Sequence, residues 1–209
     1  MKVIKLITVV LIFAAALLSI GKIMWEQELK YASPTPVPEQ YVPVPVHQKP
    51  DLDVGVFQKS DKPKHLHFYN PYCPCSKFNL PQFTSLVKKY SKKIDFYVVV
   101  PTEEDVETIA AAFGQEVTVV TDPDEKLAKA CGVYATPQAV LIDDEGKLYY
   151  RGNYNKSRYC TAASSNYAQF AIDSLLAHKP APHMGNLAIT AYGCELSKKS
   201  WFSLNIDIP

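Results

Sequence analysis

The run His67-Phe68-Tyr69-Asn70-Pro71-Tyr72-Cys73-Pro74-Cys75-Ser76 reads as the end of a β-strand, a tight turn and the opening of a helix, with two thiols at the junction. In an open α/β sheet, sites form at the carboxyl ends of the strands. A thiol at a helix N-terminus meets the positive end of the macrodipole and unpaired N–H groups. Both stabilise thiolate and draw its pKa from about 8.5 toward 3.5 to 7.5. Cys73 and Cys75 are therefore the candidate reactive groups, set against the plainer reading of two buried cysteines acting as small hydrophobes.

Outward from this junction, apolar runs alternate with helical patterns. Strands are expected at 65–69, 95–100, 117–120, 138–142 and 148–151, and helices at 76–90, 103–113, 124–130 and 166–178. The stretch Asp143-Asp144-Glu145-Gly146 forms the turn between the last two strands. Strands separated by helices pair in parallel under helical cover, and the final hairpin adds antiparallel strands. The fold class is thus an α/β sandwich, a mixed central sheet flanked by helices.

Ahead of it, residues 6–21 are uncharged and almost wholly apolar between Lys5 and Lys22. Lysine stems that snorkel and an interfacial Trp25 let 3–25 cross a bilayer, for which roughly 20 apolar residues are needed. The expectation is one uncleaved signal anchor over 1–25, inserted in the lipid bilayer through 3–25. A cleaved signal peptide is the rival, but no A-x-A pattern follows the apolar run. Lys2 and Lys5 favour a cytoplasmic N-terminus. That predicts a single-pass protein of a bacterial inner membrane with its C-terminal domain in the periplasm. Residues 26–50 read as a proline-rich linker. Six of the sixteen prolines (Pro34, Pro36, Pro38, Pro43, Pro45 and Pro50) suggest polyproline II reaching up to about 60 Å. A domain over 51–180 and a C-terminal extension over 181–209, packed on it, complete the expected organisation. With 22 basic against 21 acidic residues and no basic cluster, the composition argues against a nucleic-acid partner.

The chain resembles the thioredoxin-like superfamily, most closely its membrane-anchored periplasmic and redoxin-type members, over about 64–176. The resemblance rests on Phe68-Tyr69-Asn70-Pro71-Tyr72-Cys73, on Gly132-Val133-Tyr134-Ala135-Thr136-Pro137, and on Ala139-Val140-Leu141-Ile142-Asp143-Asp144-Glu145-Gly146-Lys147 with Tyr150-Arg151-Gly152. It implies a thioredoxin-like fold and a thiol–disulfide oxidoreductase without a cofactor, with Cys73 as the attacking thiol. It also implies a cis Pro137 after Thr136 facing that thiol, the bland alternative being a trans proline at strand entry. His67 stands where thioredoxins place a buried acid that moves the resolving thiol's proton. It is either that proton carrier or a packed strand histidine. The expected partners are thiols and disulfides of exported proteins and a membrane or periplasmic redox protein.

The spacing departs from the family: one residue, not two, separates the cysteines, and Ser76 stands at the usual second position. Residues i and i+2 of a helix do not face each other. A Cys73–Cys75 disulfide therefore needs a non-helical turn, or is strained and oxidising. That redox pair is the favoured mechanism, and Cys73 acting alone through a mixed disulfide is the other. For the remaining cysteines, Cys131 is expected to be a buried, inert thiol. Tyr192-Gly193-Cys194 resembles the Gly-Cys tail of some redoxin-domain proteins. A structural Cys160–Cys194 bridge is the simplest pairing in an oxidising compartment, contributing about 3 to 4 kcal/mol through loop closure. The alternative makes one of these two the resolving partner of Cys73.

Other functions compete. Cys73, Cys75, His65 and His67, with His183 and Met184 near the tail, offer soft donors for Cu(I) delivery, although the Cys-x-x-x-Cys of copper-delivery relatives is absent. A peroxidase is disfavoured because Asn70, not Ser or Thr, stands three residues before Cys73. A binding module that keeps the fold without the chemistry is the third class.

Overall fold

A computed structural model describes residues 2–52, 55, 57, 60–103 and 106–196. The chain divides into two units, Met1–Ser33 and Pro34–Pro209. The first is helix α1, Lys2–Met24, followed by a π-helical turn over Trp25–Leu29 and the short α2, Lys30–Ala32. At 1.5 Å per residue, α1 extends about 35 Å. It is long and apolar enough to cross a membrane, as an anchor or a signal sequence would be.

In the second unit β1 (Lys64–Phe68) leads through α3 (Pro74–Tyr90) to β2 (Asp95–Val100), and α4 (Val106–Phe113) leads to β3 (Val117–Thr121). Helix α5 (Lys126–Cys131), the two-residue β4 (Ala135–Thr136), β5 (Gln138–Ile142), β6 (Leu148–Gly152) and α6 (Tyr167–Leu176) follow. The five-stranded sheet has the order β3-β2-β1-β5-β6. β1 pairs in parallel with β2 and antiparallel with β5, β2 pairs in parallel with β3, and β5 with β6 antiparallel. This is a thioredoxin-like fold.

The sheet separates two cores because strand side chains alternate between faces. On one side Phe83, Leu86 and Val87 of α3 and Ala171 and Ile172 of α6 pack on Phe96, Val98 and Leu141. On the other, Leu127, Ala128 and Cys131 of α5 pack on Leu66, Phe68, Val99 and Val140. All five residues of central β1 are buried. Its odd positions carry His65 and His67 into the aromatic side, where His67 stacks on Phe83 with ring centres 4.3 Å apart. His65 lies 5.1 Å from the Phe96 ring.

Each expected element forms within a few residues of its sequence limits; the largest shift is α4, read from 103 and observed from Val106, beside positions that lie outside the described residues. Helix α3 starts earlier than expected, at Pro74, because proline at the first helical position has its φ preset and lacks an N–H that would be unpaired there anyway.

The proline-rich stretch differs from a free spacer. Residues 34–50 belong to the second unit and run along it. Its non-proline groups make the contacts: Thr35 N–H donates to Ala191 O (2.9 Å), His47 N–H to Leu148 O (2.7 Å), and Tyr41 Oη to Gly132 O (3.0 Å). The Arg151 guanidinium donates to Val44 O at 3.0 Å. Polyproline backbone has no internal hydrogen bonds, so its carbonyls are available for such docking.

The extension beyond residue 180 contains α7 (Asn186–Ile189) and β7 (Cys194–Glu195). Asn153 anchors it: its backbone N–H donates to Ala188 O (2.7 Å), and its Nδ2 to Leu187 O (2.9 Å) and Thr190 O (2.6 Å). Residues 197–209 lie outside the described part.

Candidate active site

The loop between β1 and α3 is built by Asn70. Its side-chain Oδ1 accepts from Tyr72 N–H (2.9 Å), an Asx turn, and its carbonyl accepts from Cys73 N–H (3.0 Å). Its own N–H donates to Ser76 Oγ (3.3 Å), so Ser76 serves to hold the loop. Cys73 is thereby fixed as the N-cap of α3, in an extended conformation with φ −95° and ψ 118°. The Cys73 carbonyl accepts from Ser76 and Lys77 N–H, and the first turn of α3 contains no acidic side chain. Cys73 thus sits at the positive end of the helix dipole with no acidic side chain in that turn.

Facing this helix end is the peptide Thr136-Pro137, which is cis, and Cys73 Sγ lies 3.6 Å from the Thr136 carbonyl oxygen. The tail returns to the same place. β7 pairs antiparallel with β4 in the register Thr136↔Cys194 and Ala135↔Glu195. Cys73 and Cys194 form a disulfide with Cα atoms 6.0 Å apart, across 121 residues of sequence. Gly193 permits the approach. Its φ is +152°, and a Cβ there would overlap the Thr136 carbonyl. Two backbones therefore come together where only glycine fits.

This arrangement corrects both expected disulfides. Cys75 is not joined to Cys73. It occupies the second position of α3, where neighbours two apart diverge, and remains a buried thiol. Nor does Cys160 reach Cys194. Held at φ +55° after a turn closed by its N–H to Ser157 O, its sulfur accepts from Asn79 Nδ2 at 3.1 Å on the flank of α3. The alternative pairing, with a tail cysteine as partner of Cys73, is the one observed. A Gly-Cys pair in the tail was the available signal. β7 itself, two residues long, carries no periodicity to read.

Three sulfurs converge here: Cys73, Cys75 and Cys194 lie with their Sγ atoms all within 4.8 Å of one another. Opened by reduction, the cluster offers up to three thiolates to a soft cation. The ligand set expected for copper is corrected in its histidines, which do not join the cluster. His67 Nδ1 and the Tyr154 hydroxyl are hydrogen-bonded at 2.8 Å, and its ring stacks on Phe83. Burial pushes the imidazole pKa of His67 well below the ordinary 6.5 and that of His65 to about 3. His67 is thus a buried strand histidine held between Tyr154 and Phe83. Burial likewise raises the thiol pKa of Cys131 to about 12 and of Cys160 to about 11. Neither supplies thiolate at neutral pH.

A disulfide at a helix N-terminus, opposite a cis-proline strand end and on this sheet order, defines a thioredoxin-like protein with a tail-borne cysteine partner. The chain belongs to the family described as Domain of unknown function (DUF6436), whose model matches residues 45–195. It is 29% identical over 89 residues to a thioredoxin of Borreliella burgdorferi, a match covering 43% of this chain. The chain spans 59% of the length of that relative. Two crystal structures share the fold. A hypothetical protein from Sinorhizobium meliloti 1021 matches with a TM-score of 0.61 and 18% identity, over 75% of this chain and 96% of that one. An uncharacterized conserved protein from Geobacillus kaustophilus matches with 0.59 and 23%, over 78% and 93%.

Proposed function

We propose that this protein is a membrane-anchored thiol–disulfide oxidoreductase acting on exported proteins, with Cys73 as nucleophile and Cys194 as its intramolecular partner. The observation that carries the reading is the Cys73–Cys194 disulfide at the N-terminus of α3, beside the Thr136-Pro137 edge. In the reducing direction, the Cys73 thiolate attacks a substrate disulfide, forming a mixed disulfide and expelling one substrate thiolate. The Cys194 thiolate then attacks Cys73 Sγ, releases the second substrate thiolate and closes the Cys73–Cys194 bond. Two electrons pass from the cysteine pair to the substrate, and the expelled thiolates take protons from water. Run backward, the same steps oxidise a substrate dithiol, and the difference in reduction potential sets the direction. The apolar helix α1 supports placement in the inner membrane with the folded unit in the periplasm, in contact with exported thiols and a membrane or periplasmic redox protein.

The test is turnover of a protein disulfide by full-length protein with a recycling reductant. Cys73→Ser should abolish it, Cys194→Ser should trap covalent Cys73 adducts, and Cys75→Ser should retain most of it. Undiminished turnover by Cys73→Ser would refute the proposal.

A further inference from the structure

The tail lies on the site as the short strand Cys194–Glu195, with Leu196 in the turn that follows. Cys194 is disulfide-bonded to Cys73, its backbone pairs with Thr136, and Leu196 lies two residues further on. Leu196 packs at the edge of the α5-side core and lines a cavity of about 190 Å³ at the carboxyl ends of β1 and β2. The walls nearest the sheet are Phe68, Tyr69, Val99, Pro123 and Ala128. Two carboxylates line it at the foot of α5: the oxygens of Asp122 accept from the N–H groups of Leu127 (3.0 Å) and Ala128 (2.8 Å), and Glu125 pairs with Lys129 at 3.9 Å. What the cavity presents is thus mainly apolar.

We infer that the tail is a resident surrogate of the substrate. The protein selects extended segments in which a cysteine is followed, two residues later, by a bulky apolar side chain that enters this cavity. The inference rests on the thiol–disulfide reading above. A two-residue ladder, the disulfide and the Leu196 contact hold the segment on the β4 edge, with Thr35 Oγ1 donating to Gly193 O at 3.3 Å just before it, so opening the disulfide removes the covalent part of that hold and lets an incoming strand compete for the edge.

The experiment uses reduced full-length Cys194→Ser protein and short peptides carrying Gly-Cys-Glu-X, their cysteine activated as the mixed disulfide with thionitrobenzoate. The Cys73 thiolate attacks the peptide sulfur, the Cys73–peptide disulfide forms and thionitrobenzoate leaves, its absorbance giving the rate. Rates are divided by those of the same peptides with glutathione. Peptides with X as Phe or Leu should react about tenfold faster than those with X as Lys or Asp. Equal rates would overturn the cavity's role while leaving the oxidoreductase reading intact; no reaction with any peptide would overturn both. In the otherwise unaltered chain, Leu196→Lys should speed reduction of Cys73–Cys194 by dithiothreitol several-fold, and an unchanged rate would count against the inference.

Discussion

Cys73 and Cys194 stand 121 residues apart in sequence and are joined across the gap between the N-terminus of α3 and the edge of β4. The bond closes the chain from the N-terminus of α3 to β7 into one loop, with β1 outside it. In the chain-entropy model a loop of this order contributes about 5 kcal/mol to stability. Cys194→Ser, or reduction of the parent, should therefore lower the unfolding free energy by several kcal/mol, measured by urea titration with and without reductant. Equal midpoints for the oxidised and reduced protein would show that the bridge does not constrain the unfolded chain.

Gly193 faces the Thr136 carbonyl with no room for a side chain, at a φ of +152°. Gly193→Ala should cost about 1 to 3 kcal/mol in the oxidised protein. It should also slow closure of the Cys73–Cys194 bond, read by thiol counting after reoxidation. A variant that reoxidises at the parent rate would indicate that the tail reaches Cys73 by another path.

The buried histidines make stability depend on acidity. Folded His65 is held neutral down to about pH 3, and His67 is also shifted down by burial, whereas both titrate near 6.5 in the unfolded chain. Below pH 6.5 the unfolded state binds more protons, so stability is complete above that pH and is lost as pH falls toward the folded values. The slope is about 1.4 kcal/mol per pH unit for each imidazole. Urea midpoints at pH 7.5 and 5.0 should differ accordingly, and His65→Leu should roughly halve the slope. A flat profile across this range would contradict neutral, buried rings.

Cys131 and Cys160 should resist alkylation. Their raised thiol pKa values leave little thiolate at pH 8, and Cys131 is fully buried. After reduction, brief iodoacetamide treatment followed by peptide mapping should label Cys73 and Cys194 well ahead of both. Comparable labelling of Cys131 would show that the α5-side core opens readily.

Much of this architecture was legible in the residues. The apolar runs of β2 and β5 and the Asp143 to Gly146 turn located the sheet, since burial on both faces demands unbroken apolar runs. Cys73 at a strand-to-helix junction marked the site for a reason of local chemistry. The rest depended on contacts distant in sequence. Which thiol meets Cys73 is decided by the β4–β7 pairing, and two-residue strands leave no pattern. The surroundings of His67 are set by Tyr154 and Phe83, which lie in other elements. The proline-rich stretch looked like a spacer because prolines lack donors. Its docking uses carbonyls and the intervening Thr35, Tyr41 and His47, which composition does not weigh.

The central claim, that Cys73 exchanges disulfides with Cys194 as its partner, is tested most directly by stopping the reduced full-length protein with acid during reaction with a disulfide substrate and mapping its disulfides by mass spectrometry. The account predicts Cys73–substrate adducts first and the Cys73–Cys194 peptide pair as the product. A product linked Cys73–Cys75 or Cys160–Cys194, with Cys194 or Cys73 still a thiol, would contradict it.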